Sequence, residues 1–185
     1  LCNGQGMDYH CTISSMDEHQ VVVSVNSSVP TISEPSVSVT LYQGLPKSDK
    51  MDSVVQKAVE MGVTHIVPML TQRCVSRPDQ KSAQKKVERW QKISVEAAKQ
   101  CGRGILPPVS PVTDFSVALR QAASESTILF FYEGGGQSLQ QCIDPSCKAY
   151  SIFIGPEGGF SEEEVQFALD LGAKKATLGP RILRT

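Results

Sequence analysis

From Val37 onward this chain alternates short apolar runs with amphipathic stretches, and no other feature narrows its possible folds so far. Val37–Tyr42 reads as a strand. The polar turn GLPKSDK follows, with Ser48 or Asp49 placed to cap a helix. Met51, Val54, Val55, Ala58 and Val59 recur at helical spacing until Gly62 ends the run. Thr64–Met69 is the next strand. The spacing predicts a second helix over Gln80–Gln100, with Val87, Trp90, Ile93, Ala97 and Cys101 inward and Lys81, Lys85, Lys86, Arg89, Lys92 and Lys99 outward. Pro107 and Pro108 interrupt the chain, and Asp114–Ala123 reads as a short helix burying Phe115, Leu119 and Ala122. Thr127–Tyr132 and Tyr150–Ile154 are near-continuous apolar strands, the pattern of a parallel sheet buried on both faces. EGGGQSLQQ between them is a loop leading into a short helical turn. Ser161, with Glu164 three residues on, forms a capping box, and Glu162, Glu163 and Glu164 all favour a helix start. Val165, Ala168, Leu169 and Gly172 would line that helix's inner face, and Lys175–Leu178 is a fifth strand. Strands alternating with helices in this way imply an α/β fold with a covered parallel sheet.

Residues 1–36 read differently. Tyr9–Ser14 and Gln20–Val25 are short β-segments, and SSVPTISEPS (Ser27–Ser36) looks like a linker. That is too little chain to close a barrel, so it is expected to be the tail of a small β-domain or to pack on its neighbour. The organisation expected is 1–36 as a β-fragment with linker and 37–185 as the main domain. Hydrophobic residues make up 40% of the chain, enough for a real core. No apolar run reaches membrane-span length, so no membrane partner is expected. The start, LCNGQGMDYH, lacks a basic-then-apolar leader and an initiator Met, and the chain is expected to be a piece of a longer protein. The six cysteines form no C-x-x-C pair and the three histidines sit at no ligand spacing beside them. The expectation is free thiols in a reducing cytoplasm, with no metal.

The net charge of −1 conceals an uneven distribution. Residues 1–72 carry three Lys/Arg against seven Asp/Glu, residues 73–103 nine against three, and residues 104–185 six against nine. A solvated helix face would account for the middle block, but its excess is large enough to offer a positive patch to a polyanion.

Two loops near the C-terminal end stand out: IFIGPEGGFSEEEV (Ile152–Val165) and LGPRILRT (Leu178–Thr185). Each follows a strand-like run and contains Gly-Pro. The glycine spacing is not that of a dinucleotide fingerprint, and no Gly-Lys-Ser/Thr follows to make a phosphate loop, here or after Gly134–Gly136. Gly155, Gly158 and Gly159 expose backbone amides and carbonyls, while Pro156 fixes one φ. Such groups could hydrogen-bond an adenine edge. They could equally make a tight strand-to-helix turn, and composition leaves both readings open.

GPEGGFSEEE and LGPRILRT closely resemble the paired signature loops of the RsmE-type small-subunit ribosomal RNA uridine-N3 methyltransferases, members of the knotted SPOUT superfamily. QGLPKSDKMDSVVQKAVEMGV, TQRCVSR and KKVERWQKISVEAAKQCGR also resemble that family, so the likeness runs from Val37 to Thr185. It implies a C-terminal trefoil knot, a preceding PUA-like β-barrel of which residues 1–36 are the end, a homodimer, and S-adenosylmethionine as cofactor. By position, the cofactor-binding residues would be Phe131, Tyr132, Glu133, Ile154, Gly155, Pro156, Glu157, Gly158, Gly159, Leu178, Gly179, Pro180, Ile182 and Leu183. The family continues past Thr185 with a last knot helix, which is expected in the full protein.

The resemblance also makes ribosomal RNA the partner. Uracil N3 is on the pairing edge, so the target base must be unpaired or flipped. Arg184 and then Arg181 are the residues expected to stabilise charge on the uracil, with Glu157 as proton acceptor or positioning group, or simply a holder of loop amides. Arg73, Arg77, Lys85, Arg89 and Arg103 are the expected RNA contacts. A non-catalytic RNA-binding or ribosome-assembly protein on the same scaffold is the alternative. A nucleotide hydrolase is a remote third, lacking a phosphate loop and a nucleophile–base pair.

Overall fold

The computed structural model describes residues 1–181. Its strands are β1 (Met7–Met16), β2 (Val21–Pro30), β3 (Ser38–Gly44), β4 (His65–Leu70), β5 (Thr113–Asp114), β6 (Thr127–Phe131), β7 (Gln137–Ser138), β8 (Ala149–Ile154) and β9 (Lys174–Thr177). Between them run α1 (Lys50–Glu60), α2 (Gln80–Gln100), α3 (Phe115–Glu125), α4 (Leu139–Cys142) and α5 (Glu162–Asp170).

β3 to β9 form one sheet in the order β5-β4-β3-β8-β6-β9-β7, with every neighbouring pair parallel. From β3 the chain builds outward through β4 and β5. It then returns to the other side, where β8 slots between β3 and β6. In an open parallel sheet, such a reversal leaves a crevice at the carboxyl ends of the strands.

Strand alternation sorts the core. Val67, Tyr42, Phe153 and Phe130 lie side by side across β4, β3, β8 and β6. They form one buried layer with Phe115, Leu119 and Ala122 of α3 and Val165 and Ala168 of α5. Tyr42 and Phe153 stack at 4.4 Å. The opposite face packs Ile66 against Val55 and Val59 of α1 and Trp90 and Ala97 of α2. Farther along, Leu129, Tyr150 and Ala176 close on Cys142 of α4. Burying such a side chain contributes roughly 1.5–3 kcal/mol, which explains why these runs form strands whatever their local propensity.

Several expectations are corrected. Asp49 stands at the N-cap of α1 but its side chain caps nothing, and Ser48 takes φ 56°. Cys101 is exposed, as is Leu169, and Gly172 lies at the surface after α5. Lys86 is half-buried rather than fully outward. Ser27–Pro30, read as linker, continue β2. The sheet also holds two extra strands of two residues each, β5 and β7, too short to carry a periodic signal.

β1 and β2 form a separate antiparallel ribbon, with shifts in register between His10 and Cys11 and between Ile13 and Ser15. Polar bonds tie its base to the segment after α2. Gly6 N–H donates to the Gly104 carbonyl, Leu106 N–H to that of Gly4, and the Ser33 hydroxyl to that of Gly102. Among the described residues no helix is long and apolar enough to cross a membrane.

Candidate active site

Four strand ends of the sheet open into one cavity of about 1320 Å³. Its walls are the segments following β3, β6, β8 and β9. The capping box of Ser161 and Glu164 starts α5 at Glu162, so the chain must turn sharply between Ile154 and Ser161. Gly159 N–H donates to the Pro156 carbonyl at 2.9 Å, and Gly159 takes φ 66°, a conformation that favours glycine. A Cβ there would also meet the Glu133 carboxylate at 2.7 Å. A second close approach sets the width of the cavity floor. A Cβ on Gly44 would lie 2.6 Å from Cδ of Pro156.

Of the expected cofactor residues, Phe131, Tyr132, Glu133, Ile154, Gly155, Pro156, Glu157, Gly159, Leu178, Gly179 and Pro180 line this cavity, together with Arg181. Gly158 is not among its lining residues. Its carbonyl accepts from Arg73 at 3.1 Å, on the outer side of the loop. Ile182, Leu183 and Arg184 lie outside the described residues.

The wall contributed by Pro46, Lys47, Ser48, Lys50 and Val54 escaped the sequence reading, as did Gln43. A signal existed: Gly44-Leu45-Pro46, at the end of a buried strand, marks a third strand-end loop bearing Gly and Pro. Gln43 is buried, and its amide donates to the carbonyls of Gly44 and Gly155 at 3.0 and 3.3 Å, joining two walls.

Glu157 joins the same walls from the rim. Its carboxylate accepts from the Lys47 amide at 3.1 and 3.2 Å and from Nζ of Lys50 at 2.8 Å. The Lys50 hydrogen bond, against a smaller opposing effect of burial, holds the Glu157 carboxyl below its usual value. A carboxylate so engaged is a poor proton acceptor, and its visible role is to hold loop amides.

The expected RNA contacts separate. Arg103 is buried and cannot reach a solvent-borne polyanion: it pairs with Glu34 at 2.6 Å and donates to the Val59 carbonyl at 3.3 Å. Its place in a basic stretch misled the reading, because a count of charges does not distinguish a buried one. Arg77 is exposed but donates to the carbonyls of Thr71 and Gln72 at 2.7 and 3.1 Å. Arg89 is ion-paired with Asp52. Lys85 is exposed on α2.

Residues 33–185 match the family model for the RNA methyltransferase domain. The chain is similar to ribosomal RNA small subunit methyltransferase E of Bacillus subtilis (strain 168), with 33% identity over 191 residues, covering 100% of this chain and 75% of that protein. The corresponding enzyme of Aquifex aeolicus (strain VF5) is 31% identical over 182 residues, covering 98% and 77%. Among solved structures, ribosomal RNA small subunit methyltransferase E from Neisseria gonorrhoeae, bound to S-adenosyl methionine, superposes with a TM-score of 0.87 at 36% identity, covering 100% of this chain and 76% of that one.

Proposed function

The chain belongs to the ribosomal RNA small subunit methyltransferase E family, and from that membership we propose that it transfers a methyl group from S-adenosylmethionine to uridine N3 in small-subunit ribosomal RNA. The observation that carries this reading is the cavity of about 1320 Å³ into which four strand ends converge. Pockets for drug-sized ligands run to about 300–1,000 Å³, so a nucleoside donor fits with space left for part of an acceptor base. Backbone-rich walls at Gly155, Gly159 and Gly179 suit an adenine, whose edge reads peptide groups. Glu133, a carboxylate inside the cavity, suits ribose hydroxyls. A metal has no role in this reading.

When bound, S-adenosylmethionine supplies a sulfonium methyl, an electrophile that needs no further activation. The chain's task is on the acceptor side. Uracil N3 is a weakly acidic imide that reacts as its anion. Arg181 on the cavity wall and Arg184, three residues later in the sequence, are cations suited to stabilise negative charge on the uracil oxygens. Neither can act as a base, since a guanidinium stays protonated. Glu157 holds the loop from Lys47 to Lys50 against the glycine loop, and holding both reactants in line is worth roughly 7–11 kcal/mol.

Lys85 and Arg89, with the other cations of α2, offer an RNA-facing surface. Arg77 stays a weaker candidate because its guanidinium also holds a turn. The remaining elements of the reading are a C-terminal trefoil knot, a PUA-like barrel completed by chain before the ribbon, a homodimer and a cytoplasmic location. These rest on the family resemblance.

The test is methyl transfer from labelled cofactor by the full-length protein to small subunits lacking the modification, followed by mapping of the methylated base. Label at one uridine N3 is expected. Cofactor binding without transfer to any RNA would favour the non-catalytic alternative, and no cofactor binding by calorimetry would defeat the reading altogether. Arg184→Ala is expected to lower transfer about 100-fold or more while leaving cofactor affinity within about threefold, the pattern of an interaction made in the transition state.

A further inference from the structure

The loop that follows β4 lies against the glycine loop and reaches it through Arg73. The Gly158–Gly159 peptide is pinned at both ends. Its carbonyl accepts from the Arg73 guanidinium at 3.1 Å, and its N–H donates to the Pro156 carbonyl at 2.9 Å. The Arg73 stem fits closely over the loop too, since a Cβ added to Gly158 would lie 3.1 Å from the Arg73 Cβ. At Gln72, the residue before Arg73, the loop is held by the Glu164 carboxylate, which splits its two oxygens. One accepts from Gln72 N–H at 2.8 Å and the other from Ser161 N–H at 2.9 Å. Thus the β4–α2 loop is fastened both to the glycine loop and to the start of the helix that ends it. Arg77 in turn holds the turn at Thr71 and Gln72.

The charges near Arg73 argue against the phosphate contact expected from sequence. Its guanidinium sits at an acidic helix start. The Glu163 carboxyl lies below its usual value, chiefly through its own amide and the Ser161 hydroxyl, with Arg73's charge adding to the effect. A guanidinium already donating to the Gly158 carbonyl, beside an acidic helix start, has less to give to an RNA backbone.

We propose that Arg73, braced by the Glu164–Gln72 bond, is a positioning residue for the cofactor: it sets the plane of the Gly158–Gly159 peptide and so the shape of the wall that Gly159 presents to the cavity. This rests on the methyltransferase reading above and assigns Arg73 to the donor rather than to RNA. A charged donor to one backbone carbonyl is a small lever, but it acts on a wall where amide direction decides which polar atoms face the ligand.

The experiment uses the full-length protein and two separate titrations. Cofactor affinity is measured by calorimetry with S-adenosylmethionine in the absence of RNA. RNA affinity is measured across a salt series with unmodified small-subunit RNA. Arg73→Met keeps the aliphatic stem over Gly158 and removes the donor. It is expected to weaken cofactor binding about fivefold to tenfold, the value of one charge-assisted hydrogen bond discounted for exposure. The salt slope for RNA should stay unchanged, and Arg73→Lys should recover part of the cofactor affinity. Unchanged cofactor affinity in Arg73→Met would overturn the proposal. So would a salt slope reduced by about 0.7, the mark of a lost single-strand phosphate contact. A general loss of fold would be seen as a lowered melting temperature in both variants, and a failure of Lys to restore binding at unchanged melting temperature would also overturn it. Failure of the underlying function would show earlier, as no cofactor binding by the unsubstituted protein.

Discussion

Two regions of this molecule are built on β-strands, yet the ribbon of β1 and β2 and the central sheet owe their order to different forces. In the sheet, Tyr42, Phe130 and Phe153 have almost no exposed surface and are covered by helices on the far side of a buried layer. In the ribbon, Ile13, Met16, Val21 and Val25 are more than half exposed. The ribbon's place is fixed instead by polar bonds at its base. Glu34 is the centre of that joint: it pairs with Arg103 and accepts from the amides of Gly104 and Ile105 at 2.9 and 3.0 Å. Apolar burial is spread over many side chains, whereas this joint depends on one largely covered ion pair. The two regions should therefore fail in different ways.

The sheet gives the largest expected effect. Phe153→Ala removes a ring at the crossing of β3, β8 and β6 and should cost about 3–5 kcal/mol, read as a lowered urea midpoint of the whole sheet. A loss below about 1 kcal/mol would mean that the layer repacks freely and the contrast is overstated.

The joint comes next. Arg103→Met leaves the part-buried Glu34 carboxylate with only the Gly104 and Ile105 amides and should cost about 3 kcal/mol, expressed first as faster amide exchange in β1 and β2 rather than in β3 or β8. The same joint should respond to acid. Burial opposes the Glu34 charge, but the Arg103 hydrogen bond and the Ile105 and Gly104 amides outweigh it, so the folded carboxyl lies below its ordinary value of 4.5. Its contribution is thus fully present above that value and is lost as the pH falls through the lower folded one. Exchange in the ribbon should rise in that range before the sheet unfolds, and simultaneous opening of both would show that they are one cooperative unit.

The smallest effect is expected on the ribbon's open face. Val25→Thr should change stability by less than about 0.5 kcal/mol in this chain, because the side chain is already 58% exposed. A larger loss in the full-length protein than in this chain would show that additional chain covers the ribbon.

The same division governs how much could be read from sequence. Buried parallel strands announce themselves as apolar runs, so β3, β4, β6, β8 and β9 fall within two residues of their expected limits, and α2 matches at both ends. β5 and β7, with two residues each, owe their pairing to neighbours rather than to any pattern of their own. At the cavity, the two Gly-Pro loops are legible, while Pro46, Lys47, Ser48 and Lys50 read only as a polar turn and Val54 only as part of a helix's apolar face. Charged residues were the least legible. Arg73, Arg89 and Arg103 look alike in a basic stretch, and only their partners separate a loop brace, a surface ion pair and a buried joint.

One consequence follows from the contact between Gly44 and Pro156. The ring of Pro156, at the start of the loop after β8, rests directly against the α-carbon of Gly44 at the end of β3. Even a methyl group at position 44 would act as a wedge, tilting the proline and everything threaded after it toward the hollow. The shape of the hollow can therefore be altered from a position that does not line it, and a survey restricted to lining positions would overlook it.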